Sequence, residues 1–124
     1  MYKTLFIALL SVFTLNACQS QNTAEEQYVL PQKEYQEKMA AIGDLQLLDV
    51  RTPDEYNAGH IEGAELINFF DEDFVQQVES RFDKDEPLML YCRSGNRSAK
   101  ATAKLKAVGF KEIYDLKGGY KNWE

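Results

Sequence analysis

Pro87-Leu-Met-Leu-Tyr-Cys92-Arg-Ser-Gly-Asn-Arg-Ser98 decides how the chain is read. A mostly apolar run leads straight into a cysteine. A polar loop with two arginines and a glycine follows, and Ser98 then opens a stretch of helical character from Ala99 to Val108. The pattern is strand, loop, helix, with a thiol at the turn. Backbone N–H groups of such a loop form an anion nest, and the following helix N-terminus adds partial positive charge. Arg93 and Arg97 add full charges. Each effect lowers a cysteine's pKa from about 8.5 and favours the thiolate.

Elements on either side alternate in the same way. Tyr28 to Leu30 reads as a short strand closed by Pro31. Gln32 to Ala41 reads as a helix with Tyr35, Met39 and Ile42 on one face. Leu45 to Val50 is a buried-type strand with Asp49 at its carboxyl end. Thr52-Pro53-Asp54-Glu55 carries a helix start: a capping residue, proline at the first position, acids in the first turn. That helix stops at Gly59. Ala64 to Asn68 is a further strand, and Asp71 to Phe82 an amphipathic helix whose acidic start suits the helix dipole. Ala101, Leu105 and Val108 form the inner face of the helix after Cys92, and Gly109 ends it. Lys111 to Leu116 is the last strand, before a terminal turn through Trp123. Strands alternating with helices predict an α/β domain with a largely parallel sheet, whose site lies beyond the carboxyl ends of the strands.

The chain has 124 residues, 44% hydrophobic and 27% charged, which suits one small folded domain. Its net charge is −6. An acidic domain is a poor nucleic-acid binder. The loop arginines are a local positive spot that favours a small anionic ligand. One histidine and one free cysteine do not make a metal site, and no nucleotide-binding glycine motif is present; no cofactor is expected.

The N-terminus reads as an address. Lys3 precedes an apolar stretch from Leu5 to Leu15, shorter than the ~20 residues that span a bilayer but fitting a signal-peptide core. Leu15-Asn-Ala-Cys18 resembles the cleavage box of bacterial lipoproteins, which implies a leader over 1–17 and a lipid-bearing Cys18; an ordinary signal peptide is the alternative. Residues 18–27 read as a polar tether, and 28–124 as the domain. Gln19 after the cysteine favours the outer membrane by resemblance to enterobacterial sorting, so the expected place is the bacterial envelope, facing the periplasm. A lipidated Cys18 leaves Cys92 without a disulfide partner in the chain.

Three stretches together resemble one family. Leu48-Asp49-Val50-Arg51-Thr52-Pro53-Asp54-Glu55-Tyr56 with Gly59-His60-Ile61-Glu62-Gly63-Ala64 is similar to the N-terminal signature of rhodanese domains. Cys92-Arg93-Ser94-Gly95-Asn96-Arg97-Ser98 is similar to the active-site loop of single-domain rhodaneses, and Gly118-Gly119-Tyr120 through Trp123 to their closing motif. The resemblance implies a five-stranded parallel sheet flanked by helices, and sulfur transfer through a persulfide on Cys92. The thiolate would attack the outer sulfur of a donor such as thiosulfate, sulfite would leave, and a thiol, cyanide or a protein acceptor would remove the sulfur. N–H groups of residues 93 to 97 would cradle the persulfide. Arg97 either steadies the donor with Arg93 or shapes the loop. Four residues separate Cys92 from Arg97; rhodanese-like dual-specificity phosphatases have one more, which widens the cradle for phosphate.

Around the loop, Asp49 is expected as an acceptor that holds it in place. Arg51 and Glu55 are expected to pair and fix the Asp49 turn, and His60 to pack at its turn through ring hydrogen bonds rather than act in catalysis. Trp123 is expected as a core lid. The alternative to an enzyme is a rhodanese-like module that holds sulfur or senses oxidants without turnover.

Overall fold

A computed structural model describes residues 28–124. The proposed leader at 1–17, Cys18 and the tether to residue 27 lie outside the described residues.

Strands β1 (Val29–Leu30), β2 (Gln46–Asp49), β3 (Glu65–Leu66), β4 (Leu88–Tyr91) and β5 (Ile113–Leu116) form one sheet in the order β1-β5-β4-β2-β3, every pair parallel. Helices α1 (Gln32–Ala41), α2 (Pro53–Ala58), α3 (Phe74–Arg81) and α4 (Asn96–Ala107) flank it, and a 3₁₀ turn at Tyr120–Asn122 closes it.

The strand that leads to the cysteine is central, and all four of its residues are fully buried. Side chains alternate between faces along a strand. Leu88, Leu90 and Cys92 therefore share a core with Phe74, Val78, Ala101 and Leu105 of α3 and α4. Met89 and Tyr91 belong to the opposite core, with Tyr35, Leu47 and Leu116, against which Trp123 and Tyr120 pack. Burying one such large side chain is worth about 1.5–3 kcal/mol, so the strand beneath the loop is among the firmest parts of the domain.

The Thr52 start forms as expected. Its hydroxyl accepts from the Glu55 N–H, and the Glu55 carboxylate accepts from the Thr52 N–H, a complete capping box with Pro53 at the first position. Helix α4 ends in a Schellman arrangement: Phe110 N–H bonds to Leu105 O, and Gly109 N–H to Lys106 O, with Gly109 at φ 102°.

Some boundaries differ from the expectation. Helix α3 begins at Phe74, so Asp71-Glu72-Asp73 precedes it and does not form its first turn. Turns from Asn68 O to Asp71 N–H and from Asp71 O to Phe74 N–H use that segment, and Gln77 Nε2 donates to the carboxylates of Asp71 and Asp73. Strand β3 has two residues because beyond it the Phe69 N–H turns in to bond Val50 O. Helix α4 starts at Asn96, before Ser98, because Gly95 at φ 105° takes the N-cap position.

Candidate functional site

Cys92 follows β4 at the carboxyl end of the sheet and is 1% exposed. Its sulfur accepts a hydrogen bond from Gly95 N–H at 3.0 Å. On the other side Sγ lies 3.3 Å from Ser98 Oγ, to which the thiol donates. The left-handed Gly95 turns the loop back over the sulfur and starts α4 at once, so the N-terminal end of a twelve-residue helix adjoins the thiol. Arg93, Ser94 and Asn96 form the exposed outer rim.

The loop is held from two directions. Both terminal nitrogens of Arg97 bind Glu55, at 2.6 and 2.9 Å, so the guanidinium is engaged as a fork. The Arg97 hydrogen bond holds the Glu55 carboxyl down at about 2, with the Thr52 cap bonds adding to it against partial burial. From the other direction the terminal turn docks on the loop backbone: Tyr120 N–H donates to Cys92 O at 2.8 Å and Lys121 N–H to Arg93 O at 3.0 Å. Gly119 permits this approach. A Cβ there would collide with the Arg93 carbonyl and the Ser94 amide, and its φ is 69°.

The expected Arg51–Glu55 pair does not form. Asp49 accepts from the Arg51 backbone N–H at 2.9 Å and from its guanidinium at 2.7–3.1 Å, a local turn that folds the arginine inward. Arg51 also donates to Gly59 O and lies 4.3 Å over the Tyr120 ring. Glu55 turns outward to Arg97 instead. Asp49 therefore grips Tyr91, whose hydroxyl donates to Oδ2 at 2.8 Å and accepts from Ile61 N–H at 3.0 Å. It secures the residue before Cys92, while Glu55 secures the loop. His60 is exposed, stacked on Tyr56 at 3.7 Å with Nδ1 2.9 Å from the Tyr56 carbonyl, and is not among the sulfur's hydrogen-bond partners, Gly95 and Ser98.

Asp115 in β5 was not expected. Its side chain lies on the cysteine's face of the sheet, and Ser98 Oγ donates to its Oδ2 at 3.0 Å. Burial pushes the carboxyl up to about 7, against the lowering by Ser98 and by the backbone at Leu116. The one sequence signal is an acid inside the apolar run Ile113-Tyr-Asp-Leu116. Among the described residues no group of three or more histidine, cysteine or acidic side chains is placed to hold a metal ion, and no helix is long and apolar enough to cross a membrane.

Comparison with known proteins places this arrangement. The family model of the rhodanese-like domain matches residues 31–124. "Uncharacterized protein YqhL" of Bacillus subtilis (strain 168) is 40% identical over 88 residues, covering 71% of this chain and 68% of that protein. Thiosulfate sulfurtransferase 18 of Arabidopsis thaliana is 37% identical over 89 residues, covering 63% of this chain and 65% of the relative. Among solved structures, a rhodanese-like domain protein from Staphylococcus aureus superposes with a TM-score of 0.67 at 30% identity, covering 77% of this chain and 90% of that one. The match runs from the residue before α1 through the turn that closes over Cys92, and the solved relative shares the fold, so the chain belongs to the family of rhodanese-like domains.

Proposed function

We propose that the domain is a sulfurtransferase in which Cys92 accepts a sulfane sulfur from a small anionic donor of the thiosulfate class and passes it to a thiophilic acceptor. The thiolate forms a bond to the outer sulfur as the S–S bond of the donor breaks. Sulfite leaves with the electron pair, and Cys92 carries the persulfide. Cyanide or a thiolate then takes that outer sulfur and restores the Cys92 thiolate.

The observation that carries this reading is the Gly95 N–H aimed at the sulfur at 3.0 Å, at the start of α4, in a loop pinned by Glu55 and Arg97. A dipole fixed in that place favours an anionic sulfur without reorganisation. With Arg97 occupied by Glu55, the exposed Arg93 is the cation left to draw the donor in. The sulfurtransferase names of the plant relatives support the same reading. Intact mass of the full chain, with and without thiosulfate, tests it. Gain of one sulfur on wild type, absent in Cys92→Ser and removed by cyanide, is the expected result. A chain that takes no sulfur from thiosulfate or polysulfide would mark a binding or sensing module instead.

Attachment to the bacterial envelope through a lipid on Cys18 belongs to the same proposal, supported by the Leu15 to Cys18 box. Cys18→Ser should move the protein from the membrane to the soluble fraction; unchanged partition would overturn the anchor.

A further inference from the structure

Behind Cys92, on the side away from the loop rim, three side chains form a chain of hydrogen bonds. The thiol donates to Ser98 Oγ at 3.3 Å, and Ser98 Oγ donates to Asp115 Oδ2 at 3.0 Å. A serine hydroxyl has one proton to give. The Gly95 carbonyl, at 3.2 Å, competes for it, but the carboxylate is the closer and stronger acceptor. All three side chains are buried, at 1%, 0% and 4% exposure. Asp115 has no cation among its hydrogen-bond partners; Asp49, by contrast, is paired with Arg51.

We propose that Cys92 and Asp115 share one proton through Ser98, and that Asp115 takes the thiol proton when the thiolate forms. The S–H bond breaks with its electrons staying on sulfur. The proton passes to Ser98 Oγ as the hydroxyl's own proton passes to Asp115 Oδ2. The products are a thiolate and a neutral carboxylic acid, and the buried pair keeps a single negative charge. No oxidant or further reactant takes part. Two anions this close in a poorly solvated place oppose one another, so the pair titrates as a unit.

The second oxygen of Asp115 has acceptor capacity to spare. Oδ1 is buried and has no hydrogen-bond partner, and Thr102 Oγ1 is in the same condition. Asp115 and Thr102 both line a cavity of about 280 Å³ between β1, β5 and α4. A cavity of that size with polar atoms on its wall admits water. Asp115 borders that cavity, so the route from its carboxyl to solvent that the structure offers is by way of this cavity between β1, β5 and α4. Other groups also face Asp115. Lys106 and Tyr28 line the same cavity, while Tyr35 of α1, in the core on the opposite face of the sheet, has its phenol held up by burial and then by the charge of Asp115. The direction of the Asp115 shift, upward into the neutral range, agrees with the geometry.

The inference rests on the reading of Cys92 as a working thiolate, and its test needs no sulfur donor. Thiolate ultraviolet absorbance of the full chain is titrated against pH, with Cys92→Ser subtracted to remove Cys18 and the tyrosines. Wild type should titrate in two steps and Asp115→Asn in one. In parallel, the infrared carbonyl stretch of the protonated carboxyl, absent from Asp115→Asn, is followed against pH. Its midpoint should move by about one pH unit, tenfold in proton affinity, between wild type and Cys92→Ser. A wild-type thiolate curve identical to that of Asp115→Asn overturns the proposal. If Asp115→Asn does not fold, an infrared midpoint the same in wild type and Cys92→Ser overturns it alone. A chain that shows the coupled titration yet gains no sulfur from thiosulfate would instead count against the sulfurtransferase reading.

Discussion

Asp49 and Asp115 make a matched pair with opposite fates. They sit in the strands on either side of β4, Asp49 opposite Tyr91 and Asp115 opposite Leu90. Their side chains are buried on opposite faces of the sheet. Asp49 has a buried arginine wrapped around it, a backbone N–H and a tyrosine hydroxyl. Asp115 has a serine hydroxyl and one unpartnered oxygen. The same side chain in similar burial is saturated by a guanidinium, an amide and a hydroxyl in one strand, and in the other is left with a spare oxygen and a carboxyl that burial pushes upward.

The largest expected effect comes from stripping the saturated acid. Arg51→Met leaves Asp49 as an unpaired buried charge, and urea unfolding should show a loss of about 3–5 kcal/mol. A loss as small as that of a surface substitution would mean Asp49 is not held by the pair. Gly119→Ala strikes the same face through the turn that carries Tyr120. The new Cβ must push the Arg93 carbonyl aside at a positive φ, which should lower stability by about 2–3 kcal/mol. Sulfur loading of Cys92 should fall with it, and unchanged loading would break the link between turn and loop.

Asp115 should respond with the other sign. Its folded-state pKa, about 7, lies above the ordinary 3.8, so its contribution to stability is complete below about pH 4 and is lost as pH rises through 7. Asp115→Asn removes that loss. Relative to wild type the variant should gain stability between pH 4 and 8, by roughly 2–4 kcal/mol, read from thermal unfolding at each pH. A difference flat across that range would sink the contrast. Glu55 gives the smallest effect and the reverse slope. Its pKa of about 2 lies below the ordinary 4.5, so its stabilisation is present above 4.5 and lost as pH falls towards 2. Solvent screens the half-buried pair with Arg97, so Glu55→Gln should cost about 1 kcal/mol at pH 7 and nothing near pH 2. An acid limb identical in the two proteins would show the pair to be inert.

What was legible in the chain was local. The cap at Thr52, the strand into Cys92 and the glycine after α4 each declare themselves within a few residues, because capping and left-handed turns are short-range chemistry. The choice of ion partner was not legible. Glu55 is four residues from Arg51 and forty-two from Arg97, yet it binds Arg97, since the turn at Asp49 folds Arg51 inward and the parallel sheet brings the loop beside α2. Asp115 was hidden for a related reason. A lone acid in a strand reads as solvent-facing until the sheet order shows that its face is covered by α4 and that Ser98 lies above it.

The hydrogen bonds from Tyr120 and Lys121 to the carbonyls of Cys92 and Arg93 have a consequence during synthesis. A ribosome delivers the chain N-terminus first, so β4, the loop and α4 emerge before the turn that pins them. Until residues 119–121 clear the exit tunnel, the reactive sulfur has its strand and its helix but not its clasp. The loop around Cys92 is thus completed only once residues 119–121 arrive, and a chain cut short before them would carry the thiol without its finished cradle.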